Sequence, residues 1–294
     1  MTTPFGDQAE EHLRWQIEAF VATSPENSLK HLDGSHFYAA PLVGFADGDD
    51  PLFTEFKTII GPSHRTPREW IAEAIDEQPD ARYTSLERLS VICYVLPIAE
   101  QTRLSNRAQT RTPSERWAHT RNCGEGFNKA VRTHIVELLR GAGYLAIAPS
   151  NSATFKTFNE AQPGHAARPP FSVWSERHAQ YVAGLGTFSI NDGLITARGI
   201  AHRCGSVVTN LPLEPTPRPY AGPYDYCLLV AKGTCGMCLE RCPAGAISEQ
   251  GHDKLKCQAY MADELKTLRE VWGLTISGCG LCQTGVPCEF CIPQ

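Results

Sequence analysis

Nine of the chain's twelve cysteines fall within its last 68 residues, at Cys227, Cys235, Cys238, Cys242, Cys257, Cys279, Cys282, Cys288 and Cys291. Thiols crowded at short spacings bind metal: one loop can present several sulfurs to one inorganic core while a further ligand arrives from a distant segment. Two [4Fe–4S] clusters take eight thiolates, so the tail holds a full set and one to spare. Cys235-x2-Cys238-x3-Cys242-Pro243 has half of the two-cluster ferredoxin pattern, in which the cysteine before proline crosses to the other cluster. The first ligand is displaced, because seven residues rather than two separate Cys227 from Cys235. Structural zinc also uses Cys-x2-Cys pairs, but it needs neither the Cys-x3-Cys-Pro element nor this many thiols. Zinc and disulfides are therefore the weaker readings.

The rest of the chain must position these thiols and use the electrons they carry. Its 294 residues allow one large core with a small satellite. The net charge of −5 gives no global electrostatic reason to expect a phosphate-rich partner, so nucleic acid is disfavoured. Residues Met1–Asp7 lack a basic stretch followed by an apolar run, and Val91–Pro97 is too short to cross a bilayer. The chain is accordingly expected to be cytoplasmic and without a membrane partner. Without an export signal, the thiols read as metal ligands rather than disulfides.

Local signals give a mixed pattern of helices and strands. Leu13, Ile17, Phe20 and Val21 mark an amphipathic helix over 8–22. Thr66-Pro67-Arg68-Glu69 opens a helix running to Ile75 with an N-cap, a first-turn proline and an early acid. Ser90–Leu96 is apolar on both faces, as in a buried strand. Phe127, Val131, Ile135 and Leu138 recur at helical spacing, with Gly141 and Gly143 ending the segment. Further strands are predicted at Tyr144–Ala148 and Ser206–Asn210, a loop at 150–170 and a helix at Val173–Ala183. Pro212, Pro215, Pro217, Pro219 and Pro223 read as a stiff linker into the cysteine tail. These elements suggest an α+β organisation, with an upstream α/β domain at 1–220 and a cysteine-rich domain at 221–294.

The tail resembles the dicluster ferredoxin module of the epoxyqueuosine reductase and reductive dehalogenase superfamily. The resemblance rests on Cys242-Pro243, on Cys257-Gln258-Ala259-Tyr260 and on Gly278-Cys279-Gly280-Leu281-Cys282-Gln283. It extends upstream through Glu176-Arg177, Ala183-Gly184-Leu185-Gly186, residues 187–196 and Cys204–Pro212, and more loosely to Gly124–Lys129, which resembles a stretch at a helix start. It implies a nitroreductase-like α/β cobalamin-binding domain followed by a bacterial dicluster ferredoxin-like domain. It implies two [4Fe–4S] clusters: one on Cys227, Cys235, Cys238 and Cys288, the other on Cys242, Cys257, Cys279 and Cys282. Cys291 stands as the alternative to Cys288, since five residues, the last of them Pro287, separate Cys282 from Cys288. Cobalamin is expected against Gly184, Leu185, Gly186, Asn191, Gly193, Leu194, Ile195, Thr196, His202 and Arg203, with its occupant lying between residues 184–196 and the first cluster.

The resemblance also carries departures. Arg168–Trp174 has no acid where epoxyqueuosine reductases place an aspartate proton donor, and no helical-repeat extension follows the ferredoxin module. Both point toward a small-molecule substrate rather than tRNA, with electrons from a low-potential donor such as ferredoxin or flavodoxin. The catalytic residue stays unassigned among Glu125, His134, His165, His178 and His202; Cys93 and Cys123 read as small core residues. The leading expectation is an iron–sulfur oxidoreductase using cobalamin. The alternatives are a dicluster electron-transfer protein or reductive activator without its own cobalamin, and a zinc-stapled binding module.

Overall fold

Helix α1 (Ala9–Thr23) buries Leu13, Ile17 and Val21, the i, i+4, i+8 face that the sequence marks. The fold is read from a computed structural model describing residues 5–276 and 278–294; the Met1–Pro4 part of the N-terminal reading lies outside them. Strand β1 (Leu42–Asp47) leads to α2 (Pro51–Ile59), capped by the Asp50 side chain, and α3 (Pro67–Glu77). The Thr66 cap is reciprocal: its hydroxyl accepts from Glu69 N, and the Glu69 carboxylate accepts from Thr66 N. Strand β2 (Ser90–Pro97) is buried throughout, as its two apolar faces require.

Helices α4 (Glu100–Arg107) and α5 (Glu115–Gly141) follow. Helix α5 starts well before the Gly124 expected from sequence, because the Ser114 side chain caps it by accepting from Trp117 N. Gly124 and Gly126 are interior to the helix. Gly124 has a packing reason, since a Cβ there would lie 2.3 Å from the Tyr38 hydroxyl. Short strands β3 (Ala146–Ile147), β4 (Thr157–Phe158) and β5 (Phe171–Ser172) precede α6 (Glu176–Val182). The hairpin β6 (Gly186–Phe188) and β7 (Leu194–Thr196) then leads into β8 (His202–Thr209), four residues longer at its start than predicted.

One antiparallel sheet, ordered β1-β2-β8-β3, forms the centre. Alternation along β2 sends Ile92, Tyr94 and Leu96 to a core shared with α1 and α5. Val91 and Cys93 face the opposite core, with Phe53 and Phe56 of α2, Trp70 and Ile71 of α3, and Trp174. The architecture is therefore three-layered, helices covering both faces of the sheet. Cys93 is fully buried there and Cys123 half-buried, as expected of core residues.

The proline-rich passage is no free linker. Thr216 exchanges two hydrogen bonds with Phe45 of β1 through its backbone N–H and its hydroxyl, and Leu213 is buried. Beyond it lie α7 (Leu228–Lys232), α8 (Met237–Glu240), β9 (Ile247–Ser248), β10 (Gly251–His252), α9 (Lys254–Asp263) and α10 (Lys266–Val271). These elements share a small core in which Ile195, Ile200, Ile247 and Val286 surround Cys227 and Cys238. Among the described residues no helix is long and apolar enough to cross a membrane.

Candidate functional site

The tail cysteines gather in two sets. Cys227, Cys235, Cys238 and Cys288 line one tight cleft with Ser189, Ile195 and Val286. Cys242, Cys257, Cys279 and Cys282 line the wall of a different, larger cavity. The thiols sense one another in the same grouping. Burial first, then Cys238, Cys227 and Cys235, push the Cys288 thiol up to about 12. Burial, Cys257 and Cys242 push Cys279 up to about 11, against the amide of Leu281. Cys282 is driven well up by burial and by Cys279, Cys242 and Cys257, with Cys238 of the other set as its next neighbour. The two sets are thus adjacent. Cys291 borders neither cavity, and its S–H faces the Pro287 carbonyl at 3.8 Å.

Burial and neighbouring thiols push Cys238 and Cys288 of one set and Cys279 and Cys282 of the other up, so a cationic core is needed before these become thiolates. Among the described residues no three His, Cys, Asp or Glu converge on a point suited to a single metal ion. Thiolates on a cubane stand at separate corners, wider apart than the ligands of one zinc ion. The donor set therefore suits iron–sulfur clusters. The loops are built for it: the Ala246 amide donates to Cys242 Sγ at 3.3 Å, and Gly280 turns at φ 63° beside Trp117, where a Cβ would lie 2.0 Å from the indole.

The cavity at the Cys242 set, about 430 Å³, extends to Tyr38, Trp117, Thr120 and Arg121. A second chamber of about 610 Å³ adjoins it, sharing Pro170, Arg177, Asp192 and Lys254. Its wall is largely aromatic, with Phe56, Phe171, Tyr181, Phe188 and Tyr224. The cavity thus borders the second set of thiols, not the first as anticipated. Of the residues assigned to cobalamin, Asn191, His202 and Arg203 line it. Gly184, Leu185, Gly186, Gly193, Leu194, Ile195 and Thr196 line neither chamber. They pack within the protein: a Cβ on Gly184 would lie 2.4 Å from the Pro217 carbonyl oxygen, and on Gly186 2.2 Å from that of Ile195. The glycines serve chain packing, and Leu194, Ile195 and Thr196 are buried.

Charge at the cavity is mainly cationic. Arg121 is pushed down to about 10 by burial and then by the Arg203 guanidinium. Arg203 donates to Glu125 at 2.6 Å, and Arg132 donates to the same carboxylate at 2.7 Å. Burial opposes ionisation of Glu125, but Arg203 and Arg132 outweigh it and hold its pKa below the usual value. Glu125 is therefore a clamped anion rather than a proton donor. Burial lowers His202 to about 4, and its Nε2 donates to the Leu194 carbonyl at 2.7 Å, so its proton is already engaged. His178 borders the second chamber, lowered to about 3 by burial and then by His64. His134 stacks on Phe20 at 4.3 Å and His165 on Phe171 at 4.8 Å, neither lining either chamber.

Sequence reading missed Tyr38 and Thr120. Both residues line the cavity, and their buried hydroxyls have no hydrogen-bond partner among the described residues. No local signal marks them, because one lies before β1 and the other inside α5. A buried hydroxyl without a partner costs about 1–3 kcal/mol. Tyr38→Phe is accordingly expected to stabilise the ligand-free chain by about 1 kcal/mol in urea unfolding. A loss of stability would show that the hydroxyl is satisfied within the protein.

No known family profile matches the chain. Its alignable part is 32% identical over 125 residues to an epoxyqueuosine reductase of Leadbetterella byssophila, covering 39% of this chain and 35% of that protein. A tetrachloroethene reductive dehalogenase of Desulfitobacterium hafniense is 33% identical over 113 residues, covering 37% of this chain and 20% of that one. The chain therefore spans a fifth to about a third of the length of these relatives. A crystal structure of selenomethionine-labelled epoxyqueuosine reductase shares the fold at TM-score 0.51 and 17% identity, covering 96% of this chain and 66% of that one. Another epoxyqueuosine reductase structure, at TM-score 0.49, contains an epoxyqueuosine-modified tRNA stem loop. Because epoxyqueuosine reductases stand among the sequence relatives, the expectation that nucleic acid is disfavoured is withdrawn. Net charge is a global sum and does not describe the cationic cavity rim formed by Arg121, Arg177, Arg203 and Lys254. Over the part that aligns, the chain is similar in sequence to epoxyqueuosine reductases and reductive dehalogenases.

Proposed function

We propose that the chain is a cobalamin-dependent iron–sulfur oxidoreductase. Residues 1–220 form its nitroreductase-like part and 221–294 its dicluster ferredoxin-like part. Cys227, Cys235, Cys238 and Cys288 hold the first [4Fe–4S] cluster; Cys242, Cys257, Cys279 and Cys282 hold the second. The observation that carries this reading is the pair of four-thiol sets with a large cavity set against only the second.

When bound, the clusters supply single low-potential electrons and the corrin cobalt a centre that reduces substrate. The residues present suit a large ligand rich in acceptor groups. Two chambers meet, the Tyr38 and Thr120 hydroxyls lack partners, and Arg121, Arg177 and Arg203 face the space. These arginines favour amide, phosphate or carboxylate groups. Trp117, Ile98, Pro243, Ile247 and Met261 give apolar walls that limit water. Burial raises the Tyr38 pKa well above its ordinary value, while Arg203 opposes the rise. Tyr38 therefore keeps its proton, at a residue lining the cavity and near the Arg203 cation.

The test is anaerobic reconstitution with iron, sulfide and hydroxocobalamin, followed by cofactor counting. The expected result is about eight irons and one corrinoid per chain. Eight irons without corrinoid would favour a dicluster electron-transfer protein, a reading helped by the packing of residues 184–186 and 193–196 away from the cavity. Colourless, zinc-loaded protein would remove both readings. With reduced holoprotein, small halogenated arenes and an epoxyqueuosine-modified tRNA stem loop are the two acceptors to compare.

A further inference from the structure

Trp117, Thr120 and Arg121 stand at i, i+3 and i+4 on α5, a spacing that puts them on one face of a helix. All three line the cavity at the Cys242 set. One turn further along that face, Gly124 makes room for Tyr38, whose hydroxyl a Cβ there would strike. The face is enclosed rather than superficial, with Thr120 2% exposed and Tyr38 1%. Yet the hydroxyls of both have no hydrogen-bond partner among the described residues. A buried hydroxyl without a partner is a standing cost to the fold, and a ligand that meets it removes that cost.

Four lysine and arginine side chains line this cavity, and carboxylates stand near only two of them. Arg203 donates to Glu125 at 2.6 Å, and Lys254 Nζ lies 3.8 Å from Asp192 Oδ2. Arg121 and Arg177 have no carboxylate within 4 Å and donate no hydrogen bond to any described residue. Arg177 also lines the aromatic chamber, so it stands where the two spaces meet. Arg121 instead follows Thr120 on the face of α5. Protein around a cation lowers the local dielectric and strengthens its pull on an anion that enters. A guanidinium matches a carboxylate or phosphate with two parallel hydrogen bonds, and a neighbouring hydroxyl can add a third.

We propose that this face of α5 is an oxyanion-binding subsite, and that the substrate accordingly carries a carboxylate or phosphate held by Arg121 and Thr120. This rests on the reading of the cavity as the reaction site. An uncharged substrate leaves the Arg121 guanidinium without a counter-ion and the Thr120 hydroxyl unmet. The second cluster is the competing source of negative charge. Four thiolates leave it anionic, and Cys279 adjoins Gly278, against which the Arg121 side chain packs.

The experiment takes the full chain reconstituted with iron, sulfide and hydroxocobalamin and titrates it by calorimetry with inorganic phosphate and with succinate. Succinamide is the uncharged control. A single anion is expected to bind, and succinamide not at all. Arg121→Gln is expected to weaken the anion about tenfold or more. Thr120→Val weakens it too, yet raises the urea midpoint of the ligand-free chain, opposite signs that general folding damage does not produce. Lys129→Gln removes a charge from an exposed position of α5 that lines neither chamber, and leaves the affinity unchanged. Full iron and corrinoid with no anion bound overturns the proposal alone, as does an anion held equally well by Arg121→Gln and Thr120→Val. Binding seen only when the corrinoid is left out gives the subsite to a cofactor phosphate and also overturns it. An Arg121→Gln chain that keeps the anion but lowers a cluster midpoint gives the guanidinium to the cluster, with the same consequence. A wild-type chain that fails to take up the clusters or the corrinoid removes the proposed function, and the substrate class with it.

Discussion

Cys288→Ala is expected to halve the iron bound by the reconstituted chain, from about eight to about four per molecule, whereas Cys291→Ala leaves it at about eight. The two cysteines are separated by only two residues, and spacing does not choose between them. The fold treats them differently. Cys288 lies with Cys227, Cys235 and Cys238 around one cleft, and its carbonyl accepts from Ile200 N at 2.8 Å, which fixes the backbone at that point. Cys291 is outside the cleft. Iron and sulfide analysis with the EPR signal of the reduced protein gives the readout. The remaining signal in Cys288→Ala should be that of one cluster without the spin coupling of a pair. Iron loss in Cys291→Ala with retention in Cys288→Ala would reverse the assignment.

Glu289→Ala is expected to destabilise the chain by about 2–3 kcal/mol and to lower its melting temperature by about 5–10 °C. The Glu289 side chain is 1% exposed. Its carboxylate accepts from Arg103 at 3.0 Å, from Arg107 at 2.9 and 3.1 Å, and from the Gly285 amide at 2.7 Å. Both arginines lie on α4, so this carboxylate ties the last turn of the tail to the upstream helices. Removing it strands Arg103, whose side chain is 14% exposed; Arg107, at 43%, recovers water, which keeps the loss below that of a fully buried pair. Burial works against the charge, but Arg107, the Gly285 amide and Arg103 hold the Glu289 pKa below its ordinary value. With the folded pKa depressed, the contribution is complete above the unfolded carboxylate value of about 4.3 and is lost as pH falls through the folded one. Urea unfolding should therefore show a constant gap between wild type and variant from pH 8 to 5, narrowing only below about pH 4. The same variant should hold its first cluster less firmly, since Glu289 adjoins Cys288.

Elements with local causes were legible in the sequence. The Pro67–Glu77 helix follows from a capping box within four residues, and the Ser90–Pro97 strand from apolar residues on both faces. Where the cause was distant, reading failed. Gly124 and Gly126 look like a helix boundary, yet α5 runs through them, because Gly124 leaves room for a tyrosine more than eighty residues earlier. The proline-rich passage reads as a spacer, but Thr216 pairs it with β1. The glycines at 184, 186 and 193 suggest close approach of a ligand; what approaches them is the protein's own backbone and side chains.

The candidate site divides in the same way. Short spacers confine Cys235, Cys238 and Cys242 to one stretch and Cys279 and Cys282 to another, so the sequence alone determined that the tail presents two close groups of thiols. Tertiary structure decided which later cysteine joins the first set, which set faces the cavity, and that Tyr38, Thr120 and Arg121 meet there. The physical reason is range. Spacing acts through a few covalent bonds, whereas these placements depend on residues 285–289 docking against α4 and residues 200–201, through contacts between segments far apart in the chain.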